Sequence, residues 1–310
     1  MYKYIIKRLL LTIPVLIGVI VIVFTIMALT PGEPARLILG PYAEQADIDA
    51  FNEEHDLNAP FPVRPANYIG GIVTGLDFGS SYRTGKPVFE AIMDRFPITL
   101  TLASVSIVFS AIVGISLGVI SAVKQYSALD TVATITAMVF ASVPSFWFGM
   151  MLILAFSLKL RILPSNGIDS WVSYILPVVT LVVSGSAVLL RMTRSAMLET
   201  VRQDYIRTAR AKGASERDVV VKHALKNALL PVVTSLGMSF GASLGGTVVI
   251  ETVFSIPGLG TLVVDSIRDK DFPLVLACIL FLAALFCLVM LLVDLVYALI
   301  DPRIKAKYSR

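Results

Sequence analysis

The sequence predicts an all-α integral membrane protein with six transmembrane helices. Its 310 residues are 56% hydrophobic and 15% charged, with a mean hydropathy of +0.82, whereas a soluble domain has about 25% charged residues. Six stretches contain no Asp, Glu, Lys or Arg, and each reaches the roughly 20 apolar residues that a helix needs to cross the hydrocarbon core. These stretches are residues 9–32, 96–123, 131–158, 170–190, 227–250 and 272–293.

The first stretch follows three basic residues, Lys3, Lys7 and Arg8, as the apolar core of a secretory signal peptide would. Its apolar run is about twice as long as a typical signal core, and no small-x-small cleavage site follows it. We therefore expect this stretch to be retained as a membrane anchor.

Lys and Arg are distributed unequally between the two sides of the predicted membrane. With the N-terminus inside, the inner segments carry 17 basic and 7 acidic residues, and the outer segments carry 9 basic and 15 acidic residues. Under the positive-inside rule this surplus predicts an N-in/C-in topology, which accounts for the net charge of +4. The sequence has no soluble basic face, so we expect membrane lipid and no nucleic acid among its partners.

The charge pattern divides the chain into three parts. Residues 1–30 form the cytoplasmic N-terminus and the first span, residues 31–95 an extracytoplasmic insertion, and residues 96–310 a core of five spans with a cytoplasmic segment at 191–228. The insertion contains 10 acidic and 5 basic residues. It has two predicted helices, an acidic one in AEQADIDAFNEEHDL and a short one over 67–73. The insertion either docks a partner outside the membrane or forms a solvated lid.

The cytoplasmic segment contains two predicted helices joined by a tight turn. Ile206, Ala209 and Gly213 recur at the spacing of one helix face, and glycine at the end of such a face commonly terminates a helix. Ser215 and Asp218 match a capping box, which predicts that the second helix starts here.

The first of these helices carries small residues where a helix lying on a membrane surface would carry Leu, Phe or Trp. Ala209, Ala211, Gly213 and Ala214 let another backbone approach closely, and arginines at the rim can pair with acidic groups. We therefore favour a helix that docks in a groove of another protein over one that rests on anionic lipid. Gly213 and Pro231 would then be sharply turned joints at the two ends of the second helix.

The segment DYIRTARAKGASERDVVVKHALKNALLPVV, residues 204–233, resembles the cytoplasmic loop of permeases of binding-protein-dependent ABC importers, in particular the dipeptide/oligopeptide/nickel branch. Thr208, Ala209 and Arg210 stand in place of the general Glu-Ala-Ala signature, with Gly213 in register. Thr208 and Arg210 depart from importers at large, but Thr-Ala-Arg-Ala-Lys-Gly is the form that this branch tends to show. Other similar segments along nearly the full chain are YIIKRLLLTIPVLIGV, PGEPARLILG, DFGSSYRTGKPV, SVPSFWFGMMLI, VFSIPGLGTLVVDSI and DLVYALIDPRI.

The resemblance implies a type I ABC importer permease fold and a multi-pass protein of the cell inner or plasma membrane. It also implies a coupling helix that docks on an ATPase subunit, made of Tyr205, Ile206, Arg207, Thr208, Ala209, Arg210, Ala211, Lys212, Gly213 and Ala214. The implied partners are a second, homologous permease subunit, two ABC ATPase subunits that bind ATP and Mg, and an extracytoplasmic solute-binding protein. The implied cargo is a di- or oligopeptide, with nickel or another metal chelate, or glutathione, as alternatives.

The chain itself has no predicted ATPase or cofactor site. The segment GSSYRTGKP, residues 79–87, resembles a phosphate-binding loop, but five residues rather than four separate its glycines, and Pro87 replaces Ser or Thr. An ion-coupled carrier, an alternative from a different class, is disfavoured because the six stretches hold no ionisable residue. Asp294 lies just beyond the last stretch, where we expect it to reach the interface or pair with Arg191 or Arg194; a place on the pathway is the alternative.

A membrane enzyme is the other alternative. GISLG (114–118) and GASLG (241–245) match the G-x-S-x-G nucleophile pattern, but that pattern needs a strand-to-helix turn and a histidine base. The glycines recur every four residues instead, which predicts close helix packing. They are Gly114, Gly118, Gly237, Gly241 and Gly245. Two distant histidines and two cysteines on opposite helix faces, Cys278 and Cys287, predict no metal site, and no residue is predicted to be catalytic.

Polar residues within the spans are candidates for the translocation pathway. Pro144 interrupts the third span, where it frees a backbone carbonyl and kinks the helix; a kink that serves packing alone is the alternative. The candidates are Ser142, Pro144, Ser145, Trp147, Ser239, Ser243 and Thr247. By the resemblance, the turn-rich element after the fifth span forms an outer gate or a contact for the binding protein. Its residues are Pro257, Gly258, Leu259 and Gly260.

Overall fold

The computed structural model describes residues 2–30 and 32–300, and the regular structure in that part of the chain is helical apart from one isolated antiparallel bridge, Ser80 to Pro87. The α-helices are α1 (Tyr2–Leu29), α2 (Pro34–Leu39), α3 (Gln45–Glu54), α4 (Val63–Gly75), α5 (Val88–Val123), α6 (Ala128–Ser142), α7 (Ser145–Leu152), α8 (Ile175–Val201), α9 (Asp204–Ala211), α10 (Glu216–Asp218), α11 (Lys226–Gly246), α12 (Val248–Val253), α13 (Leu259–Arg268) and α14 (Phe272–Ile300). A 3₁₀ turn covers Trp171–Tyr174, and two π-helical stretches cover Ile153–Lys159 and Val219–Leu225.

Five helical segments are long and apolar enough to cross a membrane, and a bent pair of helices makes a sixth span if the pair counts as one. Each of the six charge-free stretches overlaps one of these segments, so the prediction of an all-helical membrane protein is confirmed, with five spans, or six if the bent pair is one span. The bent pair is Ala128–Ser142 with Ser145–Lys159, and it turns through 99° at its break. Lipid imposes this length on any spanning helix, which is why composition alone located the spans.

The break in the third span lies at Pro144, as the sequence predicted. Val143 has an extended backbone (φ −79°, ψ 125°), and Pro144 begins α7 as its N-cap residue. Proline disfavours helical backbone in the residue before it and has no N–H to continue the helical hydrogen bonds. The expected kink is therefore a complete interruption between two helices.

The insertion contains the two helices that its sequence predicts. The acidic helix is α3, and the short helix is α4, which extends beyond residues 67–73 at both ends. The helix of the second span, α5, begins at Val88, so it runs across the predicted end of the insertion at residue 95.

The described residues form two compact units. The first contains residues 100–256 and 288–300, and the second contains residues 2–30, 32–99 and 257–287. They are called the first unit and the second unit below.

Helices α5 and α8 pack closely in the first unit because α5 has glycines on the facing side. A Cβ atom at Gly114 would lie 2.6 Å from the Cβ of Leu189, and one at Gly118 would lie 2.6 Å from the Cβ of Thr193. Neither position has room for a methyl group, so the predicted close packing is confirmed for this pair of glycines.

The glycines of α11 behave differently from one another. A Cβ atom at Gly237 would collide with the side chain of Val293 on α14, so this glycine also permits a close approach. Gly245 has open space around it and is exposed. The predicted smooth stripe on α11 is therefore not continuous, since a Cβ atom at its last glycine would meet none of the described residues within 4 Å.

An ion pair joins α6 to α8 in the first unit. Arg194 donates from Nε to Oδ1 of Asp130 at 2.7 Å and from Nη2 to Oδ2 at 2.8 Å. Ser121, on α5, donates to the same carboxylate and accepts a bond from Arg194 Nε at 3.1 Å, and the backbone N–H of Tyr126 donates to Oδ2 at 2.9 Å. These four residues are called the ion-pair cluster below. Arg194 thus takes Asp130 as its partner, whereas the sequence analysis named it as one of two arginines that Asp294 could pair with.

The second unit has its own core where α5, α13 and α14 meet. Its buried members are Val88, Ile92, Leu259, Leu274, Ala277 and Cys278. Polar contacts hold the connecting loops: the N–H of Leu259 donates to the hydroxyl of Thr99 at 2.8 Å, and Asp271 accepts from the hydroxyl of Ser81 and from the N–H of Tyr82. The turns before α5 and α14 are therefore tied to each other.

Candidate functional site

The predicted coupling helix is α9, and it ends as the sequence predicts. Lys212 is its C-cap residue, and Gly213 follows with φ of +83°, a conformation that glycine adopts without a side-chain clash. The N–H of Gly213 donates to the carbonyl of Arg210 at 2.9 Å, and the N–H of Ala214 donates to the carbonyl of Ala209 at 3.2 Å. These bonds satisfy carbonyls that the end of the helix would otherwise leave free.

Ile206 attaches α9 to the rest of the first unit. Its side chain is completely buried in a cluster with residues of α5, α8, the π-helical stretch Val219–Leu225 and the start of α11: Ala122, Ala196, Met197, Val219, Ala224 and Ala228. The apolar face that the sequence assigned to a partner's groove therefore begins with a residue that packs against its own chain. Ile206 anchors the helix, and a docking surface has to come from the other residues of the segment.

The opposite side of α9 is open. Tyr205 is 45% exposed, and Arg207, Thr208, Ala211 and Lys212 are exposed beside it, while Ala209 and Ala214 are half-buried. The hydroxyl of Thr208 donates to the carbonyl of Asp204 at 3.0 Å, inside the helix. The open side thus combines a small residue, two cations and one aromatic ring.

Arg210, next to this open side, is already paired within the segment. Its Nε donates to Oε1 of Glu216 at 2.7 Å, and its Nη2 donates to Oε2 at 3.3 Å. This hydrogen bond raises the pKa of Arg210 above its ordinary value. The pair bridges the turn at Gly213 and joins α9 to α10, although exposed pairs of this kind contribute little to stability.

The second helix of this segment starts at Ser215, whose hydroxyl accepts a bond from the N–H of Asp218 at 3.2 Å, so the predicted cap is confirmed. The expected joint at Pro231 is wrong, because Pro231 lies inside the continuous helix α11. The irregular part comes earlier, in the π-helical stretch Val219–Leu225. Hydrogen bonds spaced five residues apart keep Val219 and Ala224 on one buried face.

The pathway candidates around Pro144 lie on an open part of the first unit. Ser142 and Pro144 are exposed, Ser145 is half-buried, and Trp147 is 47% exposed. The hydroxyl of Ser142 donates to the carbonyl of Met138 at 2.9 Å, which satisfies it inside its own helix. These four residues thus have exposed surface that a substrate or a second subunit could contact, and their place on the pathway stays a prediction.

The candidates on α11 and after it are more enclosed. Ser239 and Ser243 are half-buried, and the hydroxyl of Ser243 donates to the carbonyl of Ser239 at 2.7 Å, as a helical serine does. Thr247 is fully buried and donates to Oε1 of Glu251 at 3.0 Å. The hydroxyl of Thr247 therefore binds a buried carboxylate, and its side chain has no exposed surface in this chain.

The predicted outer element begins α13. Gly258 is the N-cap residue, and Leu259 and Gly260 are buried in the core of the second unit. Of the four predicted gate residues, only Pro257 keeps part of its surface open. A gate or binding-protein contact at 257–260 stays a prediction, and it would have to use Pro257 or move the start of α13.

Two family models match the chain. Residues 1–103 match the model described as the N-terminal part of a binding-protein-dependent transport system membrane component. Residues 114–306, well over half of the chain, match the model described as "Binding-protein-dependent transport system inner membrane component". The chain belongs to this family.

Curated members of this permease family are similar along their whole length. The oligopeptide transport system permease protein AppB of Bacillus subtilis (strain 168) is 42% identical over 316 residues, which cover 98% of this chain and 100% of AppB. The glutathione transport system permease protein GsiC of Escherichia coli (strain K12) is 44% identical over 307 residues, which cover 99% of this chain and 100% of GsiC.

Solved structures show the same fold. An inward-facing structure of the MetNI methionine ABC transporter superimposes with a TM-score of 0.60 at 20% identity, covering 69% of this permease and 97% of the matched chain. A structure of an amino acid ABC transporter with histidines gives a TM-score of 0.53 at 16% identity, covering 69% and 94%. The predicted type I ABC importer permease fold is thereby confirmed.

Membership of the family narrows the alternatives. The permease is a multi-pass protein of the inner membrane and a component of a transport system, and it is not itself an enzyme. The membrane-enzyme and ion-coupled-carrier alternatives are therefore dropped. The described residues contain no group of three or more His, Cys, Asp or Glu placed to hold a metal ion, and Cys278 and Cys287 are free thiols.

The sequence analysis missed several buried polar groups, among them the carboxylates of Asp130 and Glu251. Asp130 and Glu251 each lie one residue outside a charge-free stretch, so counting charges assigned them to the membrane edge. Both are buried, at 3% and 0% exposure. The available signal was a polar residue spaced for a helix: Thr134 lies four residues after Asp130, and Thr247 lies four residues before Glu251, and each bonds to that carboxylate.

Proposed function

We propose that the permease moves di- or oligopeptides, delivered by a solute-binding protein, through an importer driven by ATP. Relatives that match over their whole length are an oligopeptide permease and a glutathione permease, and both names denote a peptide cargo. Glutathione itself is the second candidate, because GsiC is as similar to this chain as AppB is. A nickel or metal-chelate cargo has no such support among these relatives.

The proposed assembly contains four further subunits. A second, homologous permease pairs with this one, two ATPase subunits bind ATP and Mg, and a solute-binding protein delivers cargo on the outer side. With both termini inside, α9 faces the cytoplasm and docks on an ATPase subunit. The observation that carries this assignment is that α9 is anchored by Ile206 on one side and open on the other.

The same observation suggests how force reaches the spans. Ile206 packs against residues of α5, α8 and the segment that leads into α11. A displacement of α9 by an ATPase would therefore press on three spans at once, because a close-packed apolar cluster transmits displacement rather than absorbing it. Alternating access would follow as a movement of these spans together.

Co-purification tests the proposed assembly. Gentle detergent extraction from native membranes, followed by capture through a C-terminal tag, should recover a second permease and two ATPase subunits with this chain. Recovery of the chain alone, even after chemical cross-linking, would overturn the docking assignment. Uptake of a labelled dipeptide should continue when the proton gradient is collapsed and ATP is maintained.

A bulky residue on the open side of α9 tests the docking surface. Ala211→Trp should reduce both the recovered ATPase and the uptake of dipeptide at least tenfold, because the indole fills the space that a groove would occupy. The matched control is Ala66→Trp, which places the same ring on an exposed alanine of α4. Normal ATPase recovery in Ala211→Trp would contradict the proposed contact.

A further inference from the structure

A polar cavity of about 480 Å³ lies within the second unit. Helices α1, α3, α4 and α14 and the loop after α4 contribute its walls. A smaller cavity of about 280 Å³ shares Phe24, Met27, Arg64 and Phe272 with it. The larger volume is in the range of 300–1,000 Å³ that small-molecule sites occupy. No residue predicted from the sequence to form a site lines either cavity.

Arg64 lies in the wall that the two cavities share and has no anionic partner. It is half-buried, and it makes no hydrogen bond or ion pair with another residue in the described part of the chain. Arg36 and Arg83 in the same unit are paired, with Glu33 at 2.6 Å and with Asp269 respectively. Withdrawing a guanidinium from water without a partner is unfavourable, and its planar fork suits a carboxylate.

Tyr68 is a second group without a partner on the same wall. It lies one helical turn after Arg64 on α4, so both side chains lie on one face of that helix. Its hydroxyl is buried and has no hydrogen-bond partner among the described residues. Burial raises the pKa of Tyr68, so the group is a neutral donor at physiological pH. A buried hydroxyl that lacks an acceptor is unfavourable, and a ligand oxygen would supply the missing hydrogen bond.

Acidic and aromatic groups line other parts of the cavity. Glu54, Asp56 and Asp77 supply carboxylates, and Asp77 already accepts a bond from the N–H of Gly79 at 2.8 Å. The rings of His55 and Tyr82 lie 4.4 Å apart between centroids, and burial raises the pKa of Tyr82 to about 12, so its hydroxyl stays neutral. The lining therefore has a cationic group, anionic groups and aromatic rings.

We infer that this cavity binds the free termini of a short peptide. Arg64 and Tyr68 bind the terminal carboxylate, the acidic residues bind the terminal ammonium group, and the aromatic and apolar lining contacts the side chains. The inference rests on the proposed peptide cargo and adds a binding site on the permease itself, separate from the solute-binding protein.

Equilibrium binding of L-alanyl-L-alanine to the purified importer assembly in nanodiscs, without its solute-binding protein, tests the site. We expect the wild-type assembly to bind this dipeptide at least tenfold more tightly than its C-terminal amide. Arg64→Gln should bind both compounds equally weakly, and Tyr68→Phe should lose part of the preference. Arg36→Gln is the matched control, since that arginine lines neither cavity, and it should bind like the wild type.

Three outcomes would overturn the site: no dipeptide binding by the wild type, equal binding of the amide, or unchanged binding by Arg64→Gln. If Arg64→Gln does not yield a folded assembly, Arg64→Lys is the second variant. It keeps the positive charge but cannot donate two parallel hydrogen bonds to one carboxylate, so it should reduce the preference for the free carboxylate. Uptake by the complete system separates the two proposals. Peptide uptake without binding at this cavity would reject the site alone, and the absence of all peptide uptake would reject the proposed function.

Discussion

Arg194 and Arg64 are both partly withdrawn from solvent on helices, yet their surroundings are opposite. Arg194 has a carboxylate at 2.7 Å and 2.8 Å and a serine hydroxyl at 3.1 Å, whereas Arg64 has no bonded partner among the described residues. The first arginine holds three helices together. The second lines a cavity. The difference indicates that the chain pairs its buried charges where helices must be joined and leaves one available where a ligand is expected.

The glycines show the same contrast between filled and open positions. Gly118 faces α8 so closely that a Cβ atom would lie 2.8 Å from the carbonyl oxygen of Leu190. Gly213 has nothing within 4 Å of a Cβ atom, and its backbone conformation alone requires glycine. One glycine serves the contact between two helices, and the other serves the end of a helix.

The largest effect is expected at the ion-pair cluster. Asp130→Asn leaves Arg194 charged and partly buried, and breaking a buried pair in this way costs about 3–5 kcal/mol. We expect about 3 kcal/mol, the low end, because the side chain of Arg194 is 24% exposed. This loss of stability should appear as a lower melting temperature of the purified permease.

The control for this prediction is Lys222→Met, which breaks the exposed pair with Asp218 and should change the melting temperature little. The double variant Asp130→Asn with Arg194→Met removes both charges and should recover part of the loss. A melting temperature unchanged by Asp130→Asn would show that the cluster does not hold the helices together.

A smaller loss is expected where α5 meets α8. Gly118→Ala adds a methyl group 2.6 Å from the Cβ of Thr193, and overpacking of this kind costs about 1–3 kcal/mol. Gly245→Ala, in open space, should instead stabilise the permease by up to about 1 kcal/mol, since alanine favours helix. Thermal unfolding of both variants compares them, and equal shifts would remove the contrast between filled and open glycines.

The turn after the coupling helix should show a modest loss of stability and a large loss of function. Gly213→Val forces a β-branched residue to a φ of +83°, at a cost of about 1–2 kcal/mol. We expect the proposed assembly to hydrolyse ATP with little uptake, because α9 loses its orientation. Gly213→Asn, which tolerates this conformation better, should retain most of the uptake, and normal uptake in Gly213→Val would reject the role of the turn.

The smallest effect on stability is expected at Arg64. Arg64→Gln removes no bond to a described residue, so the free energy of unfolding should change by less than about 0.5 kcal/mol. A melting temperature that falls as far as it does for Asp130→Asn would mean that Arg64 has a structural role like that of Arg194. The contrast between the two arginines would then be lost.

The sequence predicted the spans because the bilayer demands a fixed length of apolar helix, and it predicted the cap at Ser215 and the turn at Gly213 because these depend on neighbouring residues. The Asp130–Arg194 pair escaped prediction because 64 residues separate its members and no local pattern records a contact at that distance. The burial of Ile206 escaped it for a related reason. An amphipathic pattern identifies an apolar face but not whether that face meets the same chain or a partner.

The cavity at Arg64 could not be predicted from the sequence either. Its lining comes from α1, α3, α4 and α14, which only the tertiary fold brings together. By contrast, the break at Pro144 was predictable because proline acts on its immediate neighbours. The sequence thus gives reliable information about features that a few adjacent residues determine.

The π-helical stretch Val219–Leu225 also sets how α11 is rotated about its own axis. A π turn takes about one residue more than an α turn, and each residue of an α-helix advances the chain by about 100° around that axis. Deleting one residue there, so that the stretch became α-helical, would turn Gly237 away from Val293 and present a larger side chain in its place. The rotational phase of the fifth span is therefore determined ahead of residues 227–250, and not by the apolar sequence of the span itself.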